Sequence, residues 1–116
     1  MEIKDKSFKE LETLSQEIRD RIIDVVSRKG GHFSSTLGAV ELTLGMHYVF
    51  DAYSDPFIFD VSHQCYPHKL LTGRWEEFET VRQFGGLSGF TKPNESPADY
   101  FVAGHSSTSI SLAVGA

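Results

Sequence analysis

Apolar residues in the first quarter of the chain recur every three or four positions, which places them on one face of an α-helix. Ser7 and Glu10 fit the capping box that begins a helix, and Gly30 and Gly31 provide the backbone freedom that ends one. We therefore expect an amphipathic helix from about Ser7 to Lys29. Its apolar face comprises Phe8, Leu11, Leu14, Ile18, Ile22 and Val25, and its solvated acidic face comprises Glu10, Glu12, Glu17 and Asp20.

The same apolar spacing continues in a second segment. Leu37, Val40, Leu44 and Tyr48 predict a helix that begins near 34–36 and ends at Phe50. After a polar exit loop over 51–56, the run Phe57–Val61 is apolar and short, which is typical of a buried strand.

The remaining pattern predicts three more elements. Pro67 suits the first turn of a helix that ends at Gly73, and the apolar residues of 75–81 indicate one further short helix. Two prolines make 91–99 a loop, and Phe101–Ala103 is predicted as a second strand that leads into a terminal helix. The alternation of helices and strands predicts an α/β layer with a parallel sheet, whose sites lie at the carboxyl ends of the strands.

Composition narrows the class of protein. The chain has 116 residues, a formal net charge of −5 and one cysteine, Cys65. A chain of this size forms about one domain, and its negative charge predicts no general affinity for nucleic acid or for an anionic membrane. We see no signal peptide and no apolar run of the ~20 residues that span a bilayer. Since Cys65 has no second cysteine to pair with, we expect a cytoplasmic protein.

Polar residues collect where the predicted strands end. His63 follows the first strand and His105 follows the second, while His32 comes directly after the end of the first helix. Imidazoles, hydroxyls and the free N–H groups of a helix N-terminus can hold phosphate oxygens. This pattern predicts a phosphate-type site.

Five blocks of residues are more specific than this spacing. They are GGHFSS at 30–35, ELT at 41–43 with HYVF at 47–50, DVSHQCYPHKLLTG at 60–73, GLSGF at 86–90 and GHSSTS at 104–109. In this order they resemble the N-terminal region of the 1-deoxy-D-xylulose-5-phosphate synthases, which are thiamin-diphosphate enzymes of the transketolase superfamily. The resemblance covers essentially the whole chain.

The resemblance implies a reaction and the residues that serve it. Enzymes of this family condense pyruvate with glyceraldehyde 3-phosphate and release carbon dioxide. By resemblance, the cofactor thiamin diphosphate is held by His63, Gly104, His105 and Ser106. The resemblance also implies that His32 and His63 are catalytic and that His32 and Ser35 lie on the substrate side.

Two residues depart from the family pattern. Ser62 stands where glycine is usual, and Cys65 stands where alanine is usual. Because both side chains are small, we expect adjusted packing and no lost chemistry.

The resemblance also implies parts that these residues do not contain. The Gly-Asp-Gly motif and asparagine that bind Mg²⁺ would lie beyond Ala116, so we expect 1–116 to be the incomplete N-terminal portion of the cofactor domain. The rest of the synthase and a second copy, forming a homodimer, are the implied partners. Alone, this chain is expected to bind the cofactor weakly and to be inactive. The alternative is a non-catalytic interaction or regulatory subunit derived from the same fold.

Several conspicuous residues have structural interpretations. His47 is expected to be packed or at the surface, His68 to brace a loop or contact the cofactor, and Glu41 to form a structural hydrogen bond. Lys69 and Arg74 are expected to be solvated or to pair locally with carboxylates. A zinc module of His63, Cys65 and His68 is a further alternative, against which the missing second pair of ligands counts.

Overall fold

The computed structural model describes residues 3–29, 34–59, 63–100 and 113–115. Four α-helices and two 3₁₀ helices are formed in these ranges. The α-helices are α1 (Phe8–Lys29), α2 (Ser34–Gly38), α3 (Val40–Val49) and α4 (Tyr66–Leu71), and the 3₁₀ helices are His63–Cys65 and Glu77–Thr80. Residues 113–115, which belong to the predicted terminal helix, are also helical.

The long first helix is confirmed, together with its capping box. The Ser7 N–H donates to Glu10 Oε1 at 2.9 Å, and the Glu10 N–H donates to Ser7 Oγ at 3.2 Å. These bonds satisfy backbone donors that have no partner inside the helix. The four acidic residues expected in solvent are exposed. The opposite face buries Leu14, Ser15, Ile18, Ile22, Val25 and Val26.

The single helix predicted up to Phe50 is wrong in one respect, because the structure divides it into α2 and α3. The Ala39 N–H donates to Thr36 O at 3.1 Å, which is a tighter turn than an α-helix makes. Apolar spacing does not register such a break, since both helices keep the same face buried. The end of α3 is capped by Lys4, whose Nζ donates to the carbonyls of His47, Tyr48 and Phe50.

The helix expected to begin at Pro67 is confirmed as α4, with this proline in its first turn. Gly73, where the prediction ended the helix, follows it at φ +87°, a conformation that favours glycine. The next predicted helix is only the 3₁₀ helix Glu77–Thr80, which is anchored by the buried Phe78.

No strand is formed within the ranges the structure describes, so the parallel sheet stays a prediction. Residues 57–59 are not a strand, whereas 60–61 and the second predicted strand, Phe101–Ala103, lie outside the described residues. The Phe57 ring is buried against the His47 ring with 4.9 Å between centroids. The apolar run at this point therefore reflects packing on α3, which the period of apolar residues cannot distinguish from sheet formation.

The core forms where α1 packs against α3 and α4. Its wholly buried members include Ile18, Ile22, Val25, Val40, Tyr66, Leu70, Phe78 and Val81. A smaller cluster of Ala52, Phe57 and Ala98 lies against His68, with Met46 and Phe59 packed on it. In the part of the chain that is described, no helix has both the length and the apolar character to cross a membrane.

Candidate functional site

Two of the segments assigned by resemblance lie side by side. Helix α2, which contains Ser35, packs against the 3₁₀ helix His63–Cys65. The backbones that carry one proposed substrate residue and one proposed cofactor residue are thus neighbours. His32, Gly104, His105 and Ser106 lie outside the described residues, as do the side chains of Ser35 and His63.

Buried oxygens lacking a hydrogen-bond partner occur at the two segments. Thr36 Oγ1 and Gln64 Oε1 have no partner among the described residues. Each belongs to a direct sequence neighbour of a predicted site residue, Ser35 or His63. A buried oxygen without a partner carries a desolvation cost. These two atoms therefore leave hydrogen-bonding capacity at this place, which fits a polar ligand.

The larger polar feature is a buried network that joins α4 to the loop 88–99. Lys69 is fully buried, and its Nζ donates to Glu95 Oε1 at 2.6 Å. Arg74 is 4% exposed and donates to the same Glu95 oxygen at 3.0 Å. Glu95 Oε2 accepts the backbone N–H of Ser88 at 2.6 Å. The network thereby fastens the start of the loop to α4.

Asp99 fastens the other end of that loop. Arg74 donates to both of its carboxylate oxygens, at 2.8 and 2.9 Å, and the Lys92 N–H donates to Oδ2 at 2.9 Å. Burial by itself would raise the pKa of Asp99, but the hydrogen bonds from Arg74, His68 and Lys92 outweigh it and hold this pKa well below its usual range. Asp99 is therefore ionised at physiological pH and serves as a structural acceptor.

His68 connects Asp99 to α3. Its Nε2 lies 3.0 Å from Ala98 O and 3.1 Å from Asp99 Oδ1. Because both neighbours of Nε2 are acceptors, this nitrogen carries the proton. Its Nδ1 lies 2.9 Å from His47 Nε2. Burial and the neighbouring His68 lower the pKa of His47 to about 3, so His47 is neutral at physiological pH.

These contacts decide between the interpretations that the sequence left open. His47 is packed, His68 braces the loop, and Glu41 pairs with Arg19 of α1. For Lys69 and Arg74 the solvated alternative is wrong, because both are buried partners of carboxylates.

Sequence reasoning missed Glu95 and Asp99 altogether. Their loop was recognised only by its prolines, and no periodicity relates an acidic residue in a loop to a basic residue on a helix more than twenty positions earlier. The available signal was two acids in a loop that follows two bases, one on a short apolar helix and one just after its end.

The zinc alternative is not supported. No group of three His, Cys, Asp or Glu residues is placed to hold a metal ion in the described ranges. Both ring nitrogens of His68 are already hydrogen-bonded. The Cys65 thiol is buried 3.8 Å from Gly89 O, and burial raises its pKa to about 12, so it is protonated at physiological pH.

The network does not suit proton transfer. It contains two cations, Lys69 and Arg74, and two anions, Glu95 and Asp99, and is electrically balanced. Buried ion pairs of this kind hold a backbone in place. If the loop 88–99 moved, at least one buried charge would lose its partner. The chemistry of the site must come from other residues.

Comparison with known proteins places this chain in a family. The family model described as 1-deoxy-D-xylulose-5-phosphate synthase matches residues 1–116. The 1-deoxy-D-xylulose-5-phosphate synthase of Aliarcobacter butzleri is 91% identical over the whole chain, and those of Nitratiruptor sp. and Wolinella succinogenes are each 73% identical. In each case the chain spans 19% of the relative's length. On this evidence, the chain belongs to the 1-deoxy-D-xylulose-5-phosphate synthase family.

Proposed function

We propose that this chain supplies part of the active site of a 1-deoxy-D-xylulose-5-phosphate synthase. That enzyme condenses pyruvate with glyceraldehyde 3-phosphate, releases carbon dioxide and forms 1-deoxy-D-xylulose 5-phosphate, a precursor of isoprenoids, thiamin and pyridoxal. The observation that carries the proposal is the 91% identity to a synthase over all 116 residues. At this identity the two chains differ at too few positions for several of the five residue blocks to have been replaced.

The residue roles are proposed on the same ground. His63, Gly104, His105 and Ser106 bind thiamin diphosphate, His32 acts beside His63 in catalysis, and His32 and Ser35 contact the substrate. The packing of α2 against the 3₁₀ helix at 63–65 supports this division, because it makes the substrate and cofactor segments neighbours.

The buried oxygens of Thr36 and Gln64 fit this proposal. Both atoms lack a partner among the described residues and lie beside the two proposed contact positions. Thiamin diphosphate, when bound, supplies the electron sink for cleavage of the pyruvate carbon–carbon bond. The residues of this chain orient the ligands and hydrogen-bond to them.

Other parts of the synthase complete the site in this proposal. The ligands of Mg²⁺ are assigned to residues outside 1–116, and the active enzyme is a homodimer in the cytoplasm. A diphosphate carries several negative charges, which histidines and backbone N–H groups offset only in part. The isolated 116 residues are therefore expected to bind the cofactor weakly and to be inactive.

The test uses the complete product of the gene that encodes these residues. Incubation with pyruvate, glyceraldehyde 3-phosphate, thiamin diphosphate and Mg²⁺ should form 1-deoxy-D-xylulose 5-phosphate and an equal amount of carbon dioxide. His63→Ala should abolish product formation, whereas Arg28→Gln, on the exposed face of α1, should leave it unchanged. Absence of product with the wild-type protein and both cofactors would overturn the proposal.

Calorimetry separates the chain from the complete protein. Titration of the 116-residue chain with thiamin diphosphate and Mg²⁺ should give weak or no heat, while the complete gene product should bind tightly. Tight binding by the short chain would show that its own residues hold the whole cofactor, contrary to the proposed division of the site.

A further inference from the structure

An apolar groove runs between α1 and α3 and has a volume of about 280 Å³. The apolar residues that line it, together with one glycine, are Phe8, Leu11, Leu44, Gly45, Tyr48 and Val49. Two of them are strongly exposed, Phe8 at 77% and Val49 at 69%. Contiguous apolar surface with polar residues at its rim marks a place where another surface binds.

Helix α3 is apolar on two opposite sides. Its inward side is buried in the core and consists of Val40, Thr43 and Leu44. Its outward side is exposed and presents Leu42, Tyr48 and Val49. Since His47 is neutral, Glu41 is the one residue of this helix that is charged at physiological pH. A helix that is apolar nearly all round is normally buried nearly all round. The outward side of α3 is therefore built to be covered.

The floor of the groove contains a bare stretch of backbone at Gly45. A Cβ atom added to this glycine would meet no atom within 4 Å. Without a side chain there, another backbone can come close to α3. A groove between two helices takes a third helix well, because its side-chain ridges fit between theirs. The expected occupant is thus a helix that crosses α3 at Gly45.

The length of the relatives indicates where such a helix comes from. The chain spans 19% of each of the three synthases compared above, so about four fifths of each synthase lies outside these 116 residues. A segment of the same polypeptide reaches the groove at a high effective concentration, which a separate molecule does not.

Charge disfavours a second copy of this chain as the occupant. Glu12 and Glu41 both line the groove, and the chain as a whole carries a formal net charge of −5. In a two-fold dimer the same patch of both copies meets itself. Packing through the groove would therefore bring these carboxylates toward their counterparts, and like charges at an interface repel.

We propose that the groove between α1 and α3 is the seat of an amphipathic helix from the part of the synthase polypeptide outside residues 1–116. The apolar stripe of this helix lies over Gly45, between Phe8 and Val49. A Lys or Arg beside the stripe faces Glu12. This occupancy does not depend on the residue roles or the reaction proposed above, and its test does not use activity.

The first test is the sign of a change in thermal stability. In an uncovered helix, Gly45→Leu replaces a poor helix former by a good one and raises the Tm. With a helix seated on Gly45, the added side chain overpacks the contact, and the Tm of the complete gene product should fall by several degrees. The control is Gln16→Leu, on the exposed face of α1, which should change the Tm little. An unchanged or higher Tm in Gly45→Leu, or an equal fall in Gln16→Leu, would overturn the proposal.

Photo-crosslinking in the complete gene product identifies the occupant, and it remains available if Gly45→Leu does not fold. p-Benzoylphenylalanine in place of Val49 should crosslink to a peptide outside 1–116, and the product should run on a denaturing gel at the mass of one chain. The same group in place of Gln16 should give no such crosslink. A product of twice the chain mass would assign the groove to a second copy, and crosslinks confined to 1–116 would leave it uncovered. Either result contradicts the proposed occupant.

Discussion

Helix α1 and the loop 88–99 are both well anchored, but by opposite means. The helix buries a continuous apolar face that includes Ile18 and Ile22, while its acidic residues remain in water. The loop has no regular structure and is held by buried charges, above all Asp99 and Glu95. Apolar packing tolerates small shifts, whereas buried ion pairs accept one geometry. The loop 88–99, which precedes Gly104 in the sequence, is thus held by the interaction that tolerates less displacement.

The largest loss of stability is expected when one charge is removed from the loop network. Asp99→Ala leaves the Arg74 guanidinium buried without its main partner, and loss of one partner of a buried pair costs about 3–5 kcal/mol. We expect the free energy of unfolding of the complete gene product, measured in urea, to fall by this amount. Arg74→Met combined with Asp99→Leu removes both charges and should cost less than Asp99→Ala alone. A larger loss in the double variant would contradict the argument.

The matching change in α1 is Ile22→Ala. This side chain is fully buried, and truncation of such residues costs about 2–5 kcal/mol through lost transfer energy and the cavity left behind. Native-state hydrogen exchange should show weaker protection across 8–29 with little change across 88–99. Equal loss of protection in both peptides would mean that helix and loop unfold as one unit.

His47 lies where the core and the network meet, and it should make the stability of the protein depend on pH. Its pKa is lowered to about 3 in the folded protein, below the ordinary value near 6.5, so the unfolded chain binds the extra proton first. Stability should therefore be unaffected by this group above pH 6.5 and fall as the pH drops toward 3. The loss at pH 5 is on the order of 1–2 kcal/mol.

His47→Gln provides the control for this effect. Urea unfolding of the variant between pH 7 and 5 should show a flatter dependence than that of the wild type. Asp99 contributes in the same direction but only at lower pH, because its depressed pKa makes its stabilisation disappear as the pH falls below about 4. An equal slope in the variant and the wild type between pH 7 and 5 would exclude His47 as the source.

The smallest effect is expected from a surface ion pair. Arg28 donates to both Glu79 oxygens at 2.8 Å, but the two side chains are 47% and 44% exposed to solvent. Because water screens such pairs, Arg28→Gln should leave the urea midpoint unchanged within error at moderate salt. A loss comparable to that of Asp99→Ala would show that burial is not what separates the two kinds of pair.

Most of the helical framework could be predicted from the sequence because helices are local. The capping pair Ser7 and Glu10 and the apolar spacing determine α1, and Pro67 and Gly73 mark the two ends of the α4 region. The break at Ala39 was not predictable, since the apolar positions on either side of it keep the same period. Residues 57–59 are packed on α3 and form no strand, a difference that apolar spacing does not reveal because a strand and an extended segment packed on a helix look alike.

The candidate site was predictable from the sequence only in part. The five blocks of residues single out His32, His63 and His105 by resemblance, and the match over 1–116 confirms the family. The supporting network escaped prediction because its partners are distant in sequence: Lys69 and Glu95 are separated by 26 positions, and Arg74 and Asp99 by 25. No local rule pairs a base with an acid over such a distance.

The sequence by itself determined most of the helical framework, its apolar faces and the family to which the chain belongs, because these depend on local spacing and on residue identity. Only the tertiary structure decided that Lys69 and Arg74 are buried, that His68 bonds to both His47 and Asp99, and that α2 lies against the 3₁₀ helix at 63–65. The physical reason is that the energy of a charge depends on its surroundings in three dimensions.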